Sequence, residues 1–140
     1  MNTLSAILDA LGTTLLGFFS TIAGRSPYSP FYSADDLVEI GNKSSVSYRM
    51  IGINHPNRDI LMLHETYAIG AKTGGGCSHA AQEAGIVIEG DVEVTVGAEV
   101  RVLNKGDAYY FDSRVPHSFR NVANQKSQII STVSVPSRVV

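Results

Sequence analysis

The sequence predicts an all-β protein, and three observations support that fold class. From residue 46 onward, apolar and polar residues alternate in short runs, which is the pattern of half-buried strands. Glycine, proline, asparagine or aspartate interrupts these runs at intervals of about eight to twelve residues. Beyond residue 24, no helical period extends past one turn. Short strands spaced in this way are typical of a β-sandwich or a β-barrel.

The same pattern locates each element in chain order. Residues 33–36 predict a turn or one helical turn. The predicted strands are an edge strand near 37–40, followed by 46–53, 60–69, 84–89, 92–96, 99–103, 108–111, 117–122 and 127–135. The glycine-rich segment 70–76 is interpreted as a flexible turn. It is not a phosphate-binding loop, because no helix follows it and it lacks the lysine and hydroxyl residue of that motif.

Length and composition indicate one globular domain. The chain has 140 residues, enough for a core of its own, with 44% hydrophobic and 17% charged residues. The net charge is -2 and Lys and Arg form no basic cluster, so charge gives no reason to expect nucleic-acid binding by this chain alone. Cys77 is the only cysteine in the sequence, which excludes an internal disulfide.

The apolar segment 4–23 does not have the pattern of a signal peptide or a membrane helix. No Lys or Arg precedes it, Asp9 interrupts it, and Gly12 divides it. We therefore expect a cytoplasmic protein that does not enter a membrane. The apolar spacing predicts two short helices, one on each side of Gly12. The segment 24–36, with its glycine, serine and proline residues, is predicted to be a linker.

The segment 77–90 resembles the first sequence motif of the cupin superfamily. That motif reads His-x-His, three or four residues, Glu, six residues and Gly. His79, Glu83 and Gly90 occupy the last three of these positions, whereas Cys77 stands where the first histidine is expected. The resemblance therefore implies a ligand set with one substituted member.

The segment 106–121 resembles the second cupin motif, which reads Gly, five residues, Pro-x-Gly, two residues, His, three residues and Asn. His117 and Asn121 lie at the matching spacing, but Asp-Ser-Arg at 112–114 replaces Pro-x-Gly. The paired motifs imply a double-stranded β-helix, the cupin jelly-roll barrel, over residues 37–140. The turn that precedes His117 must be built differently from that of the family.

Residues 1–23 resemble the end of a repressor-type helix-turn-helix domain. In that family Thr-Leu begins an apolar stripe that runs through Ala-Leu-Gly into a short helix ending in Phe-Phe. A helical remnant followed by a linker and a cupin barrel is the layout of helix-turn-helix (XRE-type)/cupin transcriptional regulators. The resemblance implies contact with DNA only through a helix-turn-helix domain that is absent from this chain.

The cupin resemblance implies that His79, Glu83 and His117 point into the barrel. Two imidazoles and one carboxylate suit Fe(II), Mn(II), Ni(II) or Zn(II), and Cys77 as a fourth ligand favours zinc. A barrel without metal is the alternative that the residues leave open. In that case His79 and Glu83 hydrogen-bond each other, and His117 bonds a backbone carbonyl.

Seven further residues are predicted to line the same cavity, because aromatic side chains with a few charges form small-molecule pockets. They are Arg49, Met62, His64, Tyr109, Phe111, Arg114 and Phe119. Core packing is the alternative role for Tyr109 and Phe111. A solvated surface position is the alternative for Arg49 and Arg114.

The favoured functional hypothesis is a domain that binds a small-molecule effector in its barrel and works as a homodimer in a transcriptional regulator. The sequence shows no nucleophile–base pair, which makes an enzyme the less favoured hypothesis. The alternatives are a metal-dependent dioxygenase, isomerase or lyase, and a structural cupin that binds nothing.

Overall fold

The computed structural model describes residues 29–55, 57–75 and 81–134, and this part of the chain is almost entirely β-structure. After a 3-10 turn at Ala34–Asp36, the strands are β1 (Val38–Glu39), β2 (Val46–Ile51), β3 (Ile60–Tyr67), β4 (Lys72–Gly75), β5 (Gln82–Glu89), β6 (Val92–Val96), β7 (Glu99–Leu103), β8 (Ala108–Asp112), β9 (His117–Asn121) and β10 (Ser127–Ser134). The predicted all-β fold class is confirmed. The helices predicted within 1–23 and the first residues of the linker lie outside the described residues.

The strands form two antiparallel sheets that pack face to face around one core. The six-stranded sheet has the order β1-β2-β3-β10-β5-β8, and the four-stranded sheet has the order β4-β9-β6-β7. Both sheets contribute to a common cluster of buried side chains. Its fully buried members include Tyr48, Met50, Leu61, Leu63, Tyr67, Val87, Val92, Ile129 and Val133. Among the described residues, none of the helical structure is long and apolar enough to cross a membrane.

Burial follows the two-residue period of a strand. It alternates without interruption along β2 and β10, and on β3 it alternates from Leu61 to Tyr67. On β3 the buried set is Leu61, Leu63, Glu65 and Tyr67, so this set faces the core. The side chains between them lie on the outer face of the six-stranded sheet. This parity decides which candidate residues can reach the barrel interior.

The flexible turn predicted over 70–76 is wrong for Lys72–Gly75, which forms β4 and pairs with β9. Glycine has a low strand propensity, so its composition conceals this strand in the sequence. In the tertiary structure, the absence of a side chain on glycine allows close packing between strands. A Cβ atom on Gly74 would lie 3.3 Å from the Cβ of Ser118, so glycine lets β4 pack closely against β9. β4 thereby comes to lie beside the strand that carries His117.

Asn121 ties the end of β9 to the segments around it. Its buried side chain donates to the backbone carbonyls of Tyr67, Ala68 and Gln125, and it accepts from the Ala123 amide and the Ser127 hydroxyl. These bonds join the end of β3 to the turn between β9 and β10. Asn121 therefore holds in place the strand that carries His117.

Candidate functional site

Glu83 on β5 and His117 on β9 meet inside the barrel, between the two sheets. The Glu83 Oε2 and His117 Nε2 atoms are 3.2 Å apart, and both side chains are almost completely buried. The His117 Nδ1 atom lies 2.7 Å from the carbonyl oxygen of Val115. Because a carbonyl can only accept, Nδ1 is the donor in this bond, and Nε2 faces the carboxylate. A buried acid–base pair of fixed orientation results.

The pKa of His117 reflects two opposing influences. Burial penalises the imidazolium and by itself lowers the pKa. The hydrogen bonds to Glu83 and to the Val115 carbonyl, together with the charge of Glu83, outweigh burial and raise the pKa above its ordinary value of 6.5. The pair therefore favours the charged imidazolium of His117 in mildly acidic solution. Its contribution to stability is fully present below pH 6.5 and is lost as the pH rises through the raised pKa.

Three aromatic residues form one wall of the interior next to this pair. The Phe111 ring lies 4.7 Å from the His117 ring, and the Tyr109 ring lies 5.6 Å from Phe111 and 5.1 Å from Phe119. Tyr109 crosses over Gly85, where a Cβ atom would come within 2.5 Å of the Tyr109 hydroxyl. Gly85 thus gives Tyr109 the room to point inward. Packing and pocket lining are compatible roles for these rings, which adjoin the acid–base pair.

A second buried carboxyl, Glu65 on β3, was not among the predicted site residues. It is 3% exposed and accepts hydrogen bonds from the hydroxyls of Tyr67, at 3.0 Å, and of Ser131. Burial raises the pKa of Glu65 to about 7, against the two hydroxyl bonds that lower it. The sequence contained a signal for this residue. Glu65 is the one acidic side chain on the face of β3 that otherwise carries Leu61, Leu63 and Tyr67.

The buried carboxyls also act on three tyrosines of the interior. Burial is the main cause that raises the pKa values of Tyr48, Tyr67 and Tyr109, and the negative charge of Glu65 raises all three further. The phenols are therefore neutral hydrogen-bonding groups throughout the physiological pH range. Among the described residues, the carboxyls of Glu65 and Glu83, the imidazole of His117 and several phenol hydroxyls lie within a largely apolar core.

Three of the predicted pocket residues do not line the interior. Arg49, Met62 and His64 lie on the outer face of the six-stranded sheet, because their positions alternate with the buried residues of β2 and β3. His64 Nε2 is 2.7 Å from Gln128 Oε1, and a guanidinium nitrogen of Arg49 donates to the carbonyl of Ala34. The prediction identified which residues share a face of β3 but assigned the wrong face to the core.

Arg114 does not face the buried pair either. Its guanidinium makes two hydrogen bonds to the Asp112 carboxylate, at 3.1 and 2.9 Å, on the surface of the turn before β9. The hydrogen bonds from Arg114 lower the pKa of Asp112 to about 2. Arg114 therefore stabilises the turn at residues 112–114 that replaces Pro-x-Gly. It occupies a solvated surface position, which was the alternative role predicted for it.

The predicted ligands His79 and Cys77 lie outside the described residues. Within the described ranges, no group of three His, Cys, Asp or Glu side chains is arranged to hold a metal ion. Glu83 and His117 nevertheless fit as two members of a donor set. With Nδ1 held by the Val115 carbonyl, the neutral form of His117 presents its Nε2 lone pair on the side of Glu83.

Known proteins with similar sequences are cupins and transcriptional regulators. The family described as "Cupin domain" matches residues 63–133. The HTH-type transcriptional regulator PuuR of Escherichia coli K12 is 33% identical over 131 residues, which span 94% of this chain and 70% of the regulator. PuuR of Shigella flexneri matches to the same extent.

Solved structures show the same fold at lower identity. The cupin domain of an XRE family transcriptional regulator from Enterobacter cloacae has a TM-score of 0.59 and 21% identity, covering 66% of this chain and 99% of that one. Ectoine synthase from P. lautus has a TM-score of 0.65 and 19% identity, covering 78% of this chain and 80% of that one. A regulator domain and an enzyme thus share this architecture.

Proposed function

The chain belongs to the cupin family and is homologous to the regulator PuuR, and from this premise we propose that it is the small-molecule-sensing domain of a transcriptional regulator. The effector binds in the barrel around Glu83 and His117. The observation that supports this proposal most is the buried acid–base pair against an aromatic wall. A few placed polar groups on an apolar wall are what a small-molecule site requires.

Sensing requires that the effector binds one arrangement of the protein better than another. Glu83 and His117 come from different sheets, so a ligand that contacts both changes how β5 and β9 are held relative to each other. Such a change is a physical route from the barrel interior to the rest of a regulator. DNA is contacted through a helix-turn-helix domain, and we place the protein in the cytoplasm, where such a regulator meets bacterial DNA.

A metal-dependent enzyme is the second candidate, and the same pair favours it. Glu83 and His117 would hold the ion together with His79, and Cys77 is a further potential ligand. A bound Zn, Fe, Mn or Ni ion would supply Lewis-acid or redox chemistry to a small-molecule substrate. The chain's own contribution is to orient the His117 ring through the Val115 carbonyl and to surround the site with apolar side chains.

Glu83→Gln is expected to weaken effector binding about tenfold or more, since it removes the carboxylate of the pair while preserving its shape. The full chain is titrated with a panel of amino acids, sugars, sugar phosphates, amines and organic acids, and binding is measured by thermal shift and calorimetry. Glu93→Gln is the matched control, because Glu93 makes its ion pair with Arg120 in a partly exposed position.

Metal content separates the two candidates. We expect protein purified without added metal to bind its effector, with no turnover of any compound in the panel. Stoichiometric metal that is lost in His117→Ala, together with turnover that disappears in that variant, would establish the enzyme instead. If wild type and Glu83→Gln bind the effector equally well, the Glu83–His117 pair does not form the effector site.

We also propose that two copies associate through the outer face of the six-stranded sheet. A depression of about 550 Å³ lies there, lined by apolar side chains that include Met62, Ile86 and Ile130. Met62 is 37% exposed and Ile86 is 42% exposed. An apolar face of this kind is the surface that association buries.

Met62→Glu is expected to convert dimer to monomer, which sedimentation velocity measures. An unchanged sedimentation coefficient would exclude this face as the dimer interface.

A further inference from the structure

We propose that a second ligand site lies between β7 and β8, and that it takes a small zwitterionic amino acid with an apolar side chain. Each of these strands is the last in its sheet, and they do not pair with each other. The wall of the barrel is therefore interrupted between them. A cavity of about 250 Å³ lies at this interruption, and we call it the seam cavity.

The floor of the seam cavity is apolar and faces the barrel core. Val94, Leu103, Tyr109 and Phe111 line it. Leu103, Val94 and Phe111 are buried, and Tyr109 packs against the same core. A ligand that enters here meets two aromatic rings whose centres are 5.6 Å apart. Such a floor binds an aliphatic or aromatic body through burial of apolar surface.

The rim of the seam cavity carries one charge of each sign. Glu99 lies opposite Val96 and Arg101 opposite Val94 in the β6–β7 ladder, so both charged side chains are on the inner face of β7. Both line the seam cavity and both are exposed. Neither forms a hydrogen bond or an ion pair in the part of the chain that the structure describes. A guanidinium and a carboxylate are thus available at one opening.

This charge pattern selects the class of ligand. A monocarboxylate would pair with Arg101 but be repelled by Glu99. A simple amine would pair with Glu99 but be repelled by Arg101. A zwitterion pairs its carboxylate with Arg101 and its ammonium group with Glu99, while its apolar side chain rests on Tyr109 and Phe111. The size of the seam cavity limits this ligand to a small molecule.

The seam cavity is a site separate from the Glu83–His117 pair. Phe111 lines the seam cavity and its ring lies 4.7 Å from that of His117, whereas neither Glu83 nor His117 lines the cavity. Ligand binding at the seam cavity does not depend on the effector proposed for the barrel. A ligand can bind in the seam cavity even if Glu83→Gln leaves effector binding unchanged. Conversely, the seam cavity can fail to bind a ligand even if the effector binds in the barrel.

Leucine is the probe for the seam cavity. In nitrogen-edited NMR spectra of the full chain, leucine is expected to produce saturable shifts at Val94, Tyr109 and Phe111. Two analogues each lack one charge: 4-methylpentanoate has no ammonium group and 3-methylbutylamine has no carboxylate. Each is expected to bind about tenfold more weakly than leucine, because one charge-assisted hydrogen bond is lost.

Two variants and one control complete the test. Arg101→Gln and Glu99→Gln are each expected to weaken leucine binding about tenfold, because each removes one charged partner at the rim. Lys105→Gln, in the exposed turn between β7 and β8, is expected to leave it unchanged. The absence of saturable shifts would overturn the proposal. Leucine binding to either rim variant that is as tight as binding to the wild type, or tighter binding of either analogue than of leucine, would overturn it as well.

Discussion

Asn121→Ala is expected to lower the free energy of unfolding by about 3–5 kcal/mol. The substitution removes the donor for three backbone carbonyls and the acceptor for one amide and one hydroxyl. Several of these groups are buried and would lose their partner without gaining water. The cost of unsatisfied buried groups, rather than the loss of the asparagine bonds themselves, makes the effect large. Urea denaturation followed by circular dichroism measures it.

Two further substitutions show whether the hydrogen bonds are responsible. Asn121→Asp keeps the shape but replaces the donor with an oxygen that faces three carbonyl oxygens, so it is expected to destabilise at least as much as Asn121→Ala. Asn124→Ala, in the exposed turn after β9, is expected to change stability by less than about 0.5 kcal/mol. A loss of less than about 1 kcal/mol in Asn121→Ala would show that water replaces the side chain.

Glu65→Gln is expected to stabilise the protein in alkaline solution and to have little effect in acidic solution. The pKa of Glu65 is raised from 4.5 to about 7 in the folded chain, because burial penalises its carboxylate. The folded state therefore binds this proton more tightly than the unfolded state does. The contribution of Glu65 to protein stability is greatest below pH 4.5 and falls as the pH rises to about 7. Glutamine carries no charge and removes this loss.

The size of the effect follows from the shift. A pKa raised from 4.5 to about 7 corresponds to about 3 kcal/mol of stability lost once the carboxyl is ionised. Denaturation of wild type and Glu65→Gln between about pH 5 and about pH 8 tests this, with the variant gaining on wild type as the pH rises. His117 titrates in both proteins, so its contribution cancels from the difference.

The matched control is the same substitution at a surface position. Glu93→Gln is expected to show a stability difference that does not grow with pH, since Glu93 makes a partly exposed ion pair with Arg120. A pH-independent difference in Glu65→Gln as well would mean that Glu65 is not the titrating group. It would then follow that the hydroxyls of Tyr67 and Ser131 stabilise its carboxylate fully.

Much of the fold could be predicted because the strands of this protein alternate in polarity. β6 and β7 lie at the predicted residues, and β5, β8 and β9 differ by a residue or two at an end. β10 begins at the predicted Ser127 and continues to Ser134, the last residue that the structure describes. Strand ends depend on the last ladder hydrogen bond, which a periodic pattern does not encode. β4 was missed for a different reason. Its glycine residues have no side-chain pattern, and only its pairing with β9 defines it.

The candidate site was predictable in part. The motif spacing singled out Glu83 and His117, and the structure brings their side chains within 3.2 Å. Glu65 was missed because no motif contains it. A single acidic residue on an apolar strand face can be recognised as a buried residue only when that face is known to be buried.

The amino-acid sequence by itself determined the strand period, the family and which residues of each strand share a face. A local pattern is sufficient for these properties, because successive side chains of a strand point to opposite sides. Which of the two faces is inside was decided only when the sheets packed. That choice put Glu65 in the core and moved Arg49, Met62 and His64 to the outside. The ladder joining β6 to β9, and the packing of that sheet on β5, then set His117 beside Glu83.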